Sequence, residues 1–298
     1  MIRETLIQRF LRSKGTVVVS LLLLIMTGAA LLSPWLAPHD PYDLEAIDIM
    51  DSELPPKWQE DGDDRFFLGT DDQGRDMFST ILYGLRVSLL IGAGAVIVQA
   101  ILGVVIGVIS GYFGGRIDSF FMRLADIQLS FSTLLVAIIA LAVFKAAFGA
   151  EHYASLAVPM LIFVIGIAEW PQYARTIRAS VLAEKNKDYV TAAHSLGSPH
   201  GKIMFRHILP NVFSPIFVIS TLQIANAIVT EAALSFLGLG MPVTHPSLGS
   251  LIRSGFDYIF SGIWWITSIP ALVLIIVILC INLLGDWLRD QLLLEKRV

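Results

Sequence analysis

The residues best able to do chemistry gather late in the chain, between Trp170 and Pro210. Gly197-Ser-Pro-His-Gly201-Lys202-Ile203 has the outline of a phosphate-cradling loop, in which backbone N–H groups, a lysine and a Mg²⁺-holding hydroxyl would meet a triphosphate. Only three residues separate its glycines, and Ile203 stands where the hydroxyl is needed, so this chain is not expected to hydrolyse ATP. His194, His200 and His207 could offer imidazoles to a metal, but His200 and His207 fall on different sides of Gly201, and no metal site is read from them. Zinc-protease spacing is missing. Ser110-Gly111 and Ser254-Gly255 lack the Gly-x-Ser-Gly pattern of intramembrane serine proteases, and Gly285-Asp286 lacks the preceding glycine of intramembrane aspartyl proteases. Asp61-Gly-Asp-Asp64 could attract Ca²⁺, yet the twelve-residue loop that would surround the ion is missing, and it reads as a solvated turn. An intramembrane enzyme is therefore an alternative with no reactive pair behind it.

What remains is chemistry of passage and of docking. Gln99, Gln223 and Asn226 sit inside apolar stretches and should face protein or a wet cavity, and with Glu231 they are the candidates for a translocation path. Glu231 closes such a stretch, where either a functional role or solvation at the interface would account for it. Gly103, Gly107 and Gly111 form a small-residue stripe at four-residue spacing, for packing within a bundle or at a subunit interface. Asp188-Tyr-Val-Thr-Ala-Ala-His-Ser-Leu-Gly197 reads as a short helix with Asp188 as N-cap and Gly197 as its stop, and Ser198-Pro199 forbids continuation. A second helix is expected from Lys202 to Leu209. A short helix of this kind, with Ala and Gly at close-contact positions, suits docking to a partner as well as a plain connector.

These residues need elements to hold them, and composition says which. Of 298 residues, 55% are hydrophobic and 15% charged, against about 25% charged in soluble domains. That excludes a disordered chain, a disulfide scaffold (Cys280 is the only cysteine) and an ordinary soluble enzyme. Crossing a bilayer takes about 20 apolar residues in a helix. Six stretches answer: Thr16 to Leu36, the uncharged run between Arg86 and Arg116, Ile127 to Phe144, the run between Glu151 and Glu169, Val212 to Glu231, and Ile263 to Leu284. Ala232 to Ile252 is also uncharged but holds Gly238, Gly240, Pro242, Pro246 and Gly249, which would strand backbone groups in lipid. It reads as an extension of the fifth helix and then a loop buried against protein; a true seventh span would put the C-terminus on the other side.

Charge fixes the expected orientation. Under six spans, 15 of the 21 basic residues fall on one side: four before the first span, Arg116 and Arg123 in a short loop, six in the Trp170–Pro210 loop and three in the tail. Asp40 to Asp76 holds 13 of the 25 acidic residues. Both termini are thus expected in the cytoplasm, with the first span an uncleaved anchor. Three regions follow: 1–38 as N-terminus and anchor helix, 39–85 as an exterior acidic loop ending in a short interfacial helix from Met77 to Leu85, and 86–298 as a five-helix core with the cytoplasmic loop 170–210.

Thr191-Ala-Ala-His-Ser-Leu-Gly197 followed by His207-Ile-Leu-Pro210-Asn211 resembles the cytoplasmic "EAA" signature of binding-protein-dependent ABC importer permeases. Phe67-Leu-Gly-Thr-Asp-Asp-Gln-Gly-Arg-Asp76, Tyr83-Gly-Leu-Arg-Val-Ser-Leu89, Gly111-Tyr-Phe-Gly-Gly115, Glu231-Ala-Ala-Leu-Ser-Phe-Leu-Gly-Leu-Gly240 and Asn282-Leu-Leu-Gly-Asp-Trp-Leu-Arg-Asp290 are similar to the C-type permeases of dipeptide and oligopeptide importers. The resemblance runs from Leu11 to Asp290. Thr191 stands where the signature usually has Glu, Leu248 where Trp is frequent and Ser132 where Pro is usual. The resemblance implies an all-α, polytopic type I importer permease with an anchor helix and a five-helix core, in a bacterial inner membrane. It implies a heterodimer with a B-type permease, two ATPase subunits that bind the ATP and Mg²⁺, and an extracytoplasmic peptide-binding protein; neither a cofactor of its own nor nucleic acid is implied. Asp188, Tyr189, Thr191, Ala192, Ala193, Leu196 and Gly197 would form the coupling helix. The same fold could import nickel, opines, glycans or antimicrobial peptides.

Overall fold

The computed structural model describes residues 6–43, 47–149, 153–242 and 244–295. Arg3, Glu45, Glu151, Lys296 and Arg297, which entered the charge reading, lie outside them. The regular elements of the described chain are helices: α1 (Leu6–Arg12), α2 (Lys14–Leu31), α3 (Ser33–Leu36), α4 (Met77–Phe113), α5 (Gly115–Leu129), α6 (Thr133–Phe148), α7 (Tyr153–Glu184), α8 (Asp188–Ser195), α9 (His200–Lys202), α10 (Phe213–Phe236), α11 (Leu248–Phe256) and α12 (Trp265–Glu295). Five helical segments are long and apolar enough to cross a membrane, and a sixth crossing exists if α5 and α6, bent by 94° at their junction, are one broken span.

Contacts set the directions. α4 and α7 run parallel, since Gly94 meets Ile162, Gly103 meets Tyr173, Gly107 meets Ile177 and Gly111 meets Val181. α10 runs against them, joining Gln223 to Gln99 and Glu231 to Ser88. α5 and α6 retrace α7 in reverse. Arg178 binds Asp118, Arg175 binds Asp126, Gln128 donates to the Ile167 carbonyl, and Lys145 lies over the Tyr153 ring. One end of the bundle therefore gathers α8, the start of α5 and both described ends of the chain, where Phe10 meets Trp287 edge-on at 5.3 Å. The opposite end gathers residues 47–76, α11 and the start of the turn after α10. Apolar side chains fill the space between: Ile91, Leu141, Leu161 and Leu234 in one cluster, Met77, Ile228, Leu248 and Ile266 in a second.

Several expectations change. The stretch from Met77 to Leu85 is not a separate interfacial helix, because α4 continues unbroken for 37 residues, about 55 Å. Asp76 rather than a membrane boundary starts it: its carboxylate accepts the Ser79 N–H at 2.9 Å. The short loop expected around Arg116 and Arg123 is α5, an amphipathic helix of 15 residues. The fourth helix does not stop at Glu169 but continues to Glu184 through Pro171, so the first part of the expected 170–210 loop belongs to α7 and the part after Glu184 stands apart. The expected Lys202–Leu209 helix is instead a run of mixed winding, π-type over Ile203–Ile208 and 3₁₀ over Leu209–Val212, that leads directly into α10. Pro210 lacks the N–H that a regular α-turn would use there. The stretch after Glu231 does extend the fifth helix, to Phe236, and then the buried segment forms α11.

Candidate functional site

The α8 helix lies across the end of the bundle with two faces. Val190 and Ala193, three residues apart, are buried against Val108, Ile177, Ile203 and Val212. Burying Val190 contributes roughly 1.5–3 kcal/mol to holding the helix there. Asp188, Tyr189, Thr191, Ala192, Leu196 and Gly197 are exposed, Leu196 to 85%. Lys187, not Asp188, occupies the N-cap position; Asp188 lies in the first turn, where a carboxylate complements the positive end of the helix. Gly197 has φ 72°, and its N–H reaches the His194 carbonyl at 3.0 Å while Ser198 N–H reaches that of Ala193 at 3.1 Å. This paired closure satisfies carbonyls that the helix end would otherwise strand, and it needs a left-handed residue at that position.

Polar junctions tie α8 to three neighbours. The Tyr112 hydroxyl at the end of α4 is 3.1 Å from His194 Nε2 and 2.7 Å from His200 Nδ1. Tyr189 donates to Glu184 Oε1 at 2.6 Å and accepts from Asn211 Nδ2 at 3.1 Å. Local desolvation of its hydroxyl, together with the Glu184 carboxylate, pushes the Tyr189 phenol up to about 12 although the residue as a whole is exposed. Lys187 Nζ lies 2.8 Å from Glu184 Oε2. Tyr189 thus links the last residue of α7, α8 itself and the turn into α10. Sequence reasoning picked out Tyr189 but not Glu184 or Tyr112, which lie on other helices and carry no spacing signal that joins them to α8.

A second polar group lies inside the bundle. Gln223 Nε2 donates to Glu169 Oε2 at 3.0 Å and to Gln99 Oε1 at 3.3 Å, and Asn226 Nδ2 donates to Gln223 Oε1 at 2.8 Å. Gln99, Gln223 and Glu169 are buried between α4, α7 and α10, whereas Asn226 opens onto the surface. Glu169, used in the sequence only as the border of a span, is the acceptor at the centre, 6% exposed. Glu231 belongs to a different cluster. It is fully buried, not solvated at an interface, and accepts from Ser88 Oγ at 2.9 Å and Ser235 Oγ at 2.6 Å. Those hydroxyls in turn accept the N–H groups of Leu248 at 3.3 Å and Met241 at 3.1 Å. The cluster ties α4 and α10 to the start of α11.

The stripe on α4 lies against α7. A Cβ at Gly107 would stand 2.7 Å from the Ala174 carbonyl oxygen, and one at Gly111 2.8 Å from Val181 Cβ. At the far end of α4, Asp71 and Arg75 are packed, whereas Asp61 and Asp64 are exposed. Arg75 Nε donates to Asp71 Oδ2 at 2.6 Å, both side chains almost wholly buried, and Trp265 Nε1 donates to the Thr70 carbonyl at 3.1 Å. Asp63 accepts from Arg65, whose hydrogen bonds hold its carboxyl below the usual carboxylate range. Among the described residues no group of acidic, His or Cys side chains could hold a metal ion.

Residues 103–298 match the family of binding-protein-dependent transport system inner membrane components, and residues 3–56 match the N-terminal TM domain of oligopeptide transport permease C. The chain is similar to the di/tripeptide transport system permease protein DppC of Pseudomonas aeruginosa, 38% identical over 288 residues that cover 96% of this chain and 89% of that one. It is 39% identical over 284 residues to the dipeptide transport system permease protein DppC of Escherichia coli, covering 95% and 90%. Among solved structures, a chain of the MetNI methionine ABC transporter in an inward-facing conformation superimposes with TM-score 0.57 and 16% identity, over 72% of this chain and 97% of that chain. That likeness is one of fold.

Proposed function

The chain belongs to the family of binding-protein-dependent transport system inner membrane components, and we propose that it is the C-type permease of an ATP-driven importer of dipeptides and oligopeptides. The peptide assignment is supported by relatives with that name that match nearly the whole chain. The coupling assignment is carried by one observation, the exposed outer face of α8 on a helix whose inner face is anchored to the bundle. The end that bears α8 faces the cytoplasm, in keeping with the concentration of basic residues there, and the chain crosses the membrane six times with α5 and α6 as one broken span. A B-type permease completes the path, two ATPase subunits bind ATP and Mg²⁺ below, and a peptide-binding protein docks above.

In this reading the exposed face of α8, centred on Thr191, Ala192 and Leu196, seats on an ATPase subunit. When the ATPases close, α8 moves. Val190 and Ala193 pass that displacement to the apolar cluster beneath them, Tyr112 to α4, and Tyr189 with Asn211 to the start of α10. The two arrangements of the bundle differ in energy by an amount that ATP binding can outweigh, so a ligand bound by one subunit selects the state of another. Gln99, Glu169 and Gln223 sit where α4, α7 and α10 meet, and relative motion of those helices opens their amides and carboxylate to a polar, zwitterionic solute. Reconstitution with the ATPases, the partner permease and the binding protein tests the assignment. A labelled dipeptide should be taken up and should stimulate ATP hydrolysis, and the isolated chain should hydrolyse none; turnover by the isolated chain, or a complete transporter indifferent to peptides, overturns it.

A further inference from the structure

We infer that a groove between α2, α4, α10 and α12 is a binding site for one phospholipid of the outer leaflet, its phosphate held by Arg86 and an acyl chain lying in the groove. The cavity has a volume of about 470 Å³ and is walled by apolar side chains, among them Leu23 of α2, Leu90 and Ala93 of α4, Ile224 of α10 and Ile281 of α12. Arg86 is the one charged residue on its wall. It is exposed, in an otherwise apolar stretch of α4, and makes no salt bridge among the described residues.

A guanidinium within a span is costly unless it reaches the headgroups or an anion. Helical side chains tilt toward the helix N-terminus, and the N-terminus of α4 is the end away from α8. Arg86 is therefore directed toward the membrane surface at that end. The level of that surface is marked independently: Trp35, 81% exposed just beyond α2, stands where an aromatic ring marks the interface, and Leu31, one helical turn before it, lines the same cavity as Arg86. The cation thus lies about a turn below the interface, within reach of a phosphate by its long flexible stem. Below it the groove deepens to Ala93, Ile224 and Ile281, at mid-height in the bundle. A cation at headgroup depth above an apolar slot fits a phosphate with its acyl chain. A free anion has no use for the slot, and a wall whose polar side chains are Arg86 and Thr27 offers too few hydrogen-bonding groups for a peptide segment.

The leaflet assignment rests on the orientation given under Proposed function; the lipid itself does not, because its retention is read without transport. The assembled transporter, purified in mild detergent, should keep one tightly held phospholipid by native mass spectrometry. Arg86→Gln should lower that retention roughly tenfold, by loss of a charge-assisted contact, and Arg86→Lys should restore most of it. Ala93→Trp, which fills the slot at an exposed position, should expel the lipid while leaving Arg86 in place. A photoreactive residue at position 93 should capture phospholipid. Equal retention in all variants, or capture of the partner permease at position 93, overturns the inference.

Discussion

Gly103 on α4 and Tyr173 on α7 lie so close that a Cβ on the glycine would stand 2.2 Å from the tyrosine Cβ. The approach is possible only because the glycine has no side chain, and the Trp170 carbonyl oxygen closes the same space at 2.9 Å. Backbone on both sides cannot yield. Gly103→Leu should therefore force α4 from α7 and cost about 1–3 kcal/mol or more. Thermal unfolding in detergent should fall by several degrees. Gly201→Ala, where a Cβ meets nothing within 4 Å, should leave it unchanged. Equal melting of the two variants would show that the stripe does not set the helix separation.

At Gly197 the constraint is conformational. Its φ of 72° disfavours a side chain, but a Cβ there would meet nothing within 4 Å. Within the chain, the penalty for Gly197→Val is backbone strain of about 1–2 kcal/mol, with no neighbour to displace. Gly197→Val should loosen the last turn of α8 and reduce transport, with normal insertion. Gly197→Asn, which tolerates the left-handed region, should retain most uptake. If the Val and Asn variants transport alike, the strained turn has no part in coupling.

Leu196 offers a sharper test of docking. It is 85% exposed on α8 and supports nothing within the chain. Leu196→Asp should leave folding and melting as they are while weakening co-purification of the ATPase subunits and suppressing peptide-stimulated ATP hydrolysis. Normal co-purification would place the contact elsewhere on the bundle.

What the residues disclose beforehand depends on whether the signal is local. Hydropathy announces α2, α4, α10 and α12 because each is a long apolar run, and Gly197 announces the end of α8 because left-handed backbone favours glycine. The extent of α7 is hidden: Glu169 and Pro171 look like a membrane exit, yet Glu169 is answered by Gln99 and Gln223 from other helices, so the helix passes through. The packing of Asp71 on Arg75 is equally silent, since a row of turn formers and charges carries no sign of the helix end and Trp265 that cover it. Long-range partners decide these places, and no spacing along the chain reports them.

Glu231 shows the energetic consequence of such partners. Its carboxylate organises Ser88 and Ser235, and these in turn hold the Leu248 and Met241 backbone. Glu231→Leu removes the acceptor and leaves buried hydroxyls to find another, at about 1–3 kcal/mol for each that fails. Glu231→Gln keeps an acceptor oxygen and should cost less. Limited proteolysis of the 237–247 turn should be faster in the Leu variant and near wild type in the Gln variant. Identical cleavage rates would mean that α11 is held by its apolar contacts alone.

Asp71 and Arg75 allow the strongest single perturbation at the opposite end from α8. Asp71 Oδ2 accepts from Arg75 Nε, and its other oxygen accepts the N–H groups of Gln73 and Arg75, each at 2.9 Å. One carboxylate thus shapes the turn and offsets a buried guanidinium. Breaking a buried pair from one side typically costs about 3–5 kcal/mol, so Asp71→Ala should unseat the segment that precedes α4. Removing both charges with Asp71→Asn and Arg75→Gln should be milder than Asp71→Ala alone, because no uncompensated charge stays buried. Melting temperature and binding-protein-stimulated ATP hydrolysis should fall together in the single variant and recover in part in the double. A double variant as damaged as the single, although the amide oxygen of Asp71→Asn can still accept the Gln73 and Arg75 N–H groups, would show that the damage does not come from an uncompensated buried charge.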